Sequence, residues 1–371
     1  MTGLAPMDVA ARADRVRAAF AGAADGAGID ALLVTRLPNV RYLTGFTGSA
    51  GAVAVTPDRL LLVTDGRYAE QSRAQLEAAG VDATVVIGAT QADQLAAVAE
   101  VVAGRDRLGV EADGVTWAPQ RDLAGRFGAH ELVATRDLVE AVRRVKEPAE
   151  VARIRAACAI ADGALHELLP GLAAGPTERE FALDLEFAMR RRGATKVSFD
   201  PIGAAGPNGA LPHARPSDRP IGRGELVVID FGCVVDGYCS DMTRTVSVGD
   251  PGPDAVRLWE AVRESQRRGC AAVAPGVACA TVDGASRGVL DDAGLGEYFV
   301  HSTGHGVGLE IHESPRVART TTDSLAAGFV VTVEPGVYLP GVGGVRIEDT
   351  LVVTADGAEP LTEFPIQLAV P

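Results

Sequence analysis

The first third of the chain alternates short apolar runs with stretches whose apolar positions recur every three to four residues. Helical spacing spans 8–22, and a continuous apolar run at 31–35 follows as a buried strand. Further strands are predicted at 52–56, 60–64, 84–87, 108–111 and 131–136, with helices at 65–79, 92–103 and 118–127. Glycine punctuates 39–51, which reads as a loop holding a short strand. Such strand–helix alternation makes an α/β domain, assigned to 1–138. A charged helical segment, 139–157, is interrupted by Pro148 and bridges to a second domain, 139–371. There the pattern changes. Helices at 150–168, 177–192, 254–273 and 281–293 are separated by antiparallel hairpins, the mark of an α+β domain. Thr177 and Glu180 form a capping box at the second of these helices.

One hairpin carries an unusual pair of acids. In 226–246, LVVIDFGCVVDGYCSDMTRTV, a β-branched run leads as a buried strand into Asp230. Asp236-Gly237 is a two-residue turn signal, after which the chain returns. That turn sets Asp230 opposite Thr243 and Asp241 opposite Gly232, so the two aspartates share a face as diagonal neighbours. In apolar surroundings two such carboxylates repel, and one must take a proton unless a cation neutralises both. Two solvated aspartates on the polar face of an edge hairpin satisfy the same spacing.

Composition narrows the partners. The chain has 371 residues, 47% of them apolar, enough for two domains and a large core. A net charge of −14 argues against nucleic acid and anionic membranes, which are bound through lysine and arginine excess. The two lysines, Lys146 and Lys196, lie outside any glycine-rich phosphate loop. Five cysteines without a CxxC pair suggest free thiols in a reducing compartment. No signal-length apolar segment opens the chain and no run of 18 apolar residues occurs, so a cytoplasmic protein is expected.

Two further stretches concentrate chemistry. Residues 301–315, HSTGHGVGLEIHESP, hold His301, His305 and His312 among glycines at 304, 306 and 308, which oppose a regular helix and admit close backbone approach. Residues 330–353 place Glu334 after one apolar strand, 330–333, and Glu348 within another, 344–353, with Arg346 two residues away on the same face. An unpaired acid there costs several kcal/mol; an Arg346–Glu348 surface pair is the plain alternative. His130 and His166 have no carboxylate pattern around them and are assigned structural roles.

Together Asp230, Asp241, His305, Glu334 and Glu348 form an oxygen-rich set suited to Mn²⁺ or Co²⁺. Their order resembles the five ligands of the dinuclear metallopeptidases with the pita-bread fold, on D-x10-D-x-T-R at 230–244, G-H-G-x-G at 304–308, E-P-G at 334–336 and R-I-E-D at 346–349. The stretch 198–214, with His213, and His312 followed by Glu313-Ser314-Pro315 resemble the proline-peptidase branch, aminopeptidase P and prolidase. N-V-R-Y-L-T-G-F-T-G-S at 39–49, D-G-R-Y at 65–68 and K-E-P-A-E at 146–150 resemble the creatinase-type N-terminal domain of that branch.

The resemblance implies an α/β creatinase-like N-terminal domain and an α+β pita-bread catalytic domain. It implies an Xaa-Pro peptidase with two divalent metal ions, Mn²⁺ foremost and Co²⁺ or Zn²⁺ admissible, which hold a bridging hydroxide. Asp241 and Glu348 would bridge the metals, Asp230 would complete one site, and His305 and Glu334 the other. Glu334 would also carry the proton, His312 and His213 would contact the substrate oxyanion, and His301 with Arg346 would line the proline side. A proline-containing peptide or dipeptide is the implied substrate, and a homodimer the implied assembly. Aminopeptidase P and Xaa-Pro dipeptidase share all these motifs. An inactive pita-bread module that binds peptide or protein, and a two-metal hydrolase of non-peptide substrates such as phosphoesters, are the competing expectations.

Overall fold

The computed structural model describes residues 3–23 and 25–370, and the chain divides into two compact units, one of residues 6–143 and one of residues from 144 onward together with the N-terminal residues up to Ala5. The first unit is built on a six-stranded mixed sheet. Its strands run in the order Thr84–Ile87, Leu60–Thr64, Ala52–Val55, Ala31–Val34, Arg107–Glu111, Glu131–Thr135. Ala31–Val34 is antiparallel to Ala52–Val55 and parallel to Arg107–Glu111. Leu33, Leu61, Val98, Leu108 and Phe127 share one buried cluster between sheet and helices, each fully buried side chain of this kind contributing about 1.5–3 kcal/mol.

One expectation in this unit is corrected. Residues 37–44 are not loop or strand but the helix Leu37–Thr44, with Pro38 in its first turn and Gly45 at φ 74° ending it. The glycine is the C-cap rather than a sign of irregular chain. Asn39, fully buried, donates to Glu111 Oε1 at 2.6 Å and Glu140 Oε1 at 2.7 Å, which pins the helix start. Pro148 breaks the segment 139–157 into two helices, Leu138–Arg144 and Pro148–Leu168, with a Glu147/Glu150 capping box opening the longer one.

The second unit repeats a helix-pair and hairpin arrangement. Ala157, Leu165, Phe181, Leu185 and Met189, from Pro148–Leu168 and Glu178–Arg191, pack against Val227, Ile229, Phe231 and Val246. Cys279 and Val282, from Cys279–Asp292, pack against Val331, Val333, Leu351 and Val353. The first hairpin turns at Asp236, φ 44°, and Gly237, φ 82°, the two positive φ values of a type I′ turn. Thr243 pairs with Asp230 and Cys239 with Val234, the register the turn predicts.

Neither hairpin stays in one sheet. Leu226–Phe231 lies between Met242–Ser247 and Ile202–Ala205 in one sheet, whereas Cys233–Val235 lies between Tyr238–Cys239 and Lys196–Val197 in another. At the crossing, a Cβ on Gly232 would stand 1.9 Å from the Ser240 carbonyl oxygen, so only glycine fits. The expected strand 344–353 is likewise two strands, Gly343–Arg346 and Asp349–Val353, in different sheets. Glu348 causes the division, since its N–H leaves the ladder for the Thr243 carbonyl at 3.0 Å. Among the described residues no helix is long and apolar enough to cross a membrane.

Candidate metal centre

Asp241, Glu334 and Glu348 each stand where the chain leaves one sheet for another. Such breaks free the local backbone for other partners: Glu334 N–H donates to the Thr303 carbonyl at 2.7 Å, and Thr350 Oγ1 donates to the Asp241 carbonyl at 2.8 Å. Asp230 lies inside Leu226–Phe231, and His305 inside Gly304–Gly306. The glycines beside His305 serve strand packing rather than ligand access. A Cβ on Gly304 would meet the Thr332 oxygen at 2.0 Å, and one on Gly306 the Ser314 oxygen at 2.5 Å.

These five side chains, with His213, His301, His312 and Arg346, line one cavity of about 610 Å³. Asp241, His305 and Glu348 can each offer a ligand atom, all within 4.8 Å of one another. His305 Nδ1 donates to the Gly306 carbonyl at 3.0 Å, leaving Nε2 unprotonated. That lone pair faces Asp241 Oδ2 at 3.5 Å and Glu334 Oε1 at 3.3 Å. Thr243 Oγ1 donates to Glu348 Oε2 at 2.7 Å and Thr332 Oγ1 to Glu334 Oε1 at 3.3 Å, which orients both carboxylates. Glu348 Oε1 and Asp230 Oδ1 are buried without a hydrogen-bond partner.

Electrostatics point the same way. Burial, then repulsion from neighbouring acids, raises the Asp241 and Glu348 carboxyls well above their ordinary range. Burial pushes Glu334 up to about 8 against the pull of Arg346, and lowers His305 to about 4. A cluster of acids this starved of positive charge, around an imidazole with its lone pair inward, fits divalent cations.

The plain alternative, an Arg346–Glu348 surface pair, does not form. Both are buried, at 3% and 1% exposure, and Arg346 Nη2 instead donates to Asp230 Oδ2 at 2.6 Å. Arg346 Nη1 donates to Tyr338 Oη at 2.6 Å and the Pro212 carbonyl at 3.2 Å. His301 Nδ1 donates to the Ser302 carbonyl, so its Nε2 accepts from Tyr338 Oη at 3.0 Å. Burial lowers His301 to about 4 and pushes the Tyr338 hydroxyl up to about 12. His312 packs edge-on to His305 with ring centroids 4.4 Å apart, and burial followed by His213 holds its pKa down. Phe199, Ile202 and Ile311 supply the apolar part of the wall.

Tyr338, Thr243 and Thr332 escape the sequence reading as contributors to the site. Thr243 lies within D-x-T-R, which is a usable signal; a tyrosine or threonine on an apolar strand otherwise reads as packing. His130 Nδ1 lies 2.6 Å from the Arg105 carbonyl, neither His130 nor His166 lines the cavity, and His166 is exposed on its helix.

Residues 152–355 match metallopeptidase family M24, and residues 12–145 match the creatinase/prolidase N-terminal domain. The chain is 36% identical to the Xaa-Pro dipeptidase of Pyrococcus horikoshii over 92% of its length and 94% of the relative's. Among solved structures it resembles an Xaa-Pro dipeptidase from Bacillus anthracis, with TM-score 0.91, 40% identity and coverage of 96% and 98% of the two chains. It also resembles an X-Pro aminopeptidase from Thermotoga maritima, with TM-score 0.84, 35% identity and coverage of 92% and 98%.

Proposed function

The chain belongs to metallopeptidase family M24, and from that membership and the acid-lined cavity we propose that it hydrolyses the bond between an N-terminal residue and proline. The carrying observation is the pair of buried carboxylate oxygens without partners, Asp230 Oδ1 and Glu348 Oε1, beside the His305 Nε2 lone pair. In this reading Asp230, Asp241, His305, Glu334 and Glu348 would together hold two divalent cations, Mn²⁺ foremost. Bound there, the metals supply a water of lowered pKa and polarise the scissile carbonyl.

The chain's own groups do the rest. Glu334, which lines the cavity beside His305, carries a proton from the attacking water to the departing proline nitrogen. His312 and His213 steady the carbonyl oxygen as charge develops on it. His301 and Arg346, braced through Tyr338, border the proline side. The tertiary X–Pro nitrogen offers no hydrogen to bind, so an apolar wall of Phe199, Ile202 and Ile311 suits it better than backbone pairing. The creatinase-like domain, set at 1–138, and a homodimer belong to the same proposal.

The test is release of alanine from Ala-Pro and from Ala-Pro-Ala by protein loaded with Mn²⁺, alongside Asp241→Asn. Hydrolysis of both substrates by the wild type, with bound metal and turnover lost in the variant, is expected. Retention of both by the variant refutes the ligand assignment. The ratio of the two rates separates dipeptidase from aminopeptidase P, and a wild type that binds peptide without cleaving it marks a binding module.

A further inference from the structure

Glu178 is a buried acid that the reaction does not use. It occupies the first turn of Glu178–Arg191, is 0% exposed and does not border the cavity. No ion pair reaches it among the described residues: the neighbouring Arg179 pairs with Asp218 and Arg219 with Glu225. Its carboxylate instead collects neutral donors from the two ends of one loop. Oε1 accepts the Ala205 N–H at 2.8 Å and Asn208 Nδ2 at 3.1 Å. Oε2 accepts the Ser217 N–H at 3.0 Å, Ser217 Oγ at 2.6 Å and Asn208 Nδ2 at 2.9 Å. The helix adds two strands of stitching, with the N–H groups of Glu178 and Arg179 donating to the Arg219 and Ser217 carbonyls at 3.1 and 3.0 Å. The loop so closed, 206–216, carries His213 into the cavity.

We propose that Glu178 is the positioning residue for His213, acting as a clasp that ties residues 205 and 217 together so the loop presents its imidazole at a fixed place. Only a carboxylate performs this task. Each of its oxygens receives a backbone N–H, so a glutamine in either orientation sets an NH₂ against Ala205 N–H or Ser217 N–H. Arg346 holds the loop from its other side through the Pro212 carbonyl, which leaves the clasp responsible for the base of the loop.

The inference rests on the peptidase reading, and its test separates the two. In Glu178→Gln, metal content should stay at the wild-type level while amide hydrogen exchange across 205–217 quickens. kcat/KM for Ala-Pro should fall on the order of tenfold, and Glu178→Gln should add nothing further in a His213→Ala background. Multiplicative losses in the double variant, or unchanged exchange in the loop, overturn the assignment. Should Glu178→Gln not fold, Ser217→Ala removes one donor and should show the same pattern at smaller amplitude, including silence in the His213→Ala background; additivity there overturns the proposal equally. A wild type inactive on Ala-Pro overturns the peptidase reading, and with it the role of His213 in catalysis, while hydrogen exchange still decides whether the clasp exists.

Discussion

A lone pair facing two carboxylates is unfavourable unless a cation lies between them, and His305 Nε2 is fixed in that position by its own Nδ1–H bond to Gly306. Its neighbour His312 differs, being the more exposed of the two and stacked edge-on with the His305 ring. His312→Ala should therefore keep its bound metal and lose turnover by about 10²-fold, the effect of deleting one donor to a developing oxyanion. Metal analysis beside steady-state kinetics checks this, and an unchanged kcat removes His312 from the reaction. The sequence reveals residues of this kind when they contradict their surroundings, as Glu348 does on an apolar strand. It hides those that agree with them: Tyr338 passes for a strand aromatic and Glu178 for an acid at a helix start.

At the scale of elements, the Asp236-Gly237 turn and the hairpin register are legible because turn chemistry and side-chain alternation are local. The breaks at Gly232 and Glu348 are not: a glycine in a strand does not announce that the Ser240 backbone crosses it, and Glu348 is drawn aside by Thr243, far along the chain. The helix Leu37–Thr44 is obscured for a related reason, its start being held by Glu111 and Glu140. The crossing at Gly232 makes a direct prediction. Gly232→Ala drives a methyl group into the Ser240 carbonyl and should destabilise the protein by about 2–4 kcal/mol. Gly284→Ala, in the helix Cys279–Asp292 with open space at its Cβ, should be neutral or slightly stabilising. Thermal unfolding compares the two, and equal midpoints would mean the crossing has slack.

For the whole molecule, the change from strand–helix alternation to helix-and-hairpin blocks is readable from hydrophobic periods, while the convergence of distant acids on one cavity is a property of the folded unit. That convergence makes stability depend on pH and metal together. Glu334 is raised from 4.5 to about 8, and Asp241 and Glu348 are raised in the same direction. Such acids bind protons in the folded state after the unfolded chain has released them, so stability falls as pH climbs toward 8. His301 and His305, lowered from 6.5 to about 4, act in the opposite sense but only at lower pH. Chelator-treated protein should thus unfold at a lower temperature at about pH 8.5 than at about pH 6.5, and a divalent ion should abolish the difference. A metal-free midpoint that holds level or rises would contradict this.

Thr243 and Glu348 touch across the centre from positions 105 residues apart, and Asp230 and Arg346 from positions 116 apart. During translation, at about 5–20 residues per second, the first hairpin waits roughly 5–20 s for the strand that completes its surroundings. Over that interval Asp230 and Asp241 have neither Arg346 nor the other cavity residues, and burying them would strand two charges. The first hairpin must therefore stay hydrated until its counterpart emerges. If these residues hold the cations as proposed, capture would be a late event in the life of each new chain, a seal on a finished fold rather than a template for it.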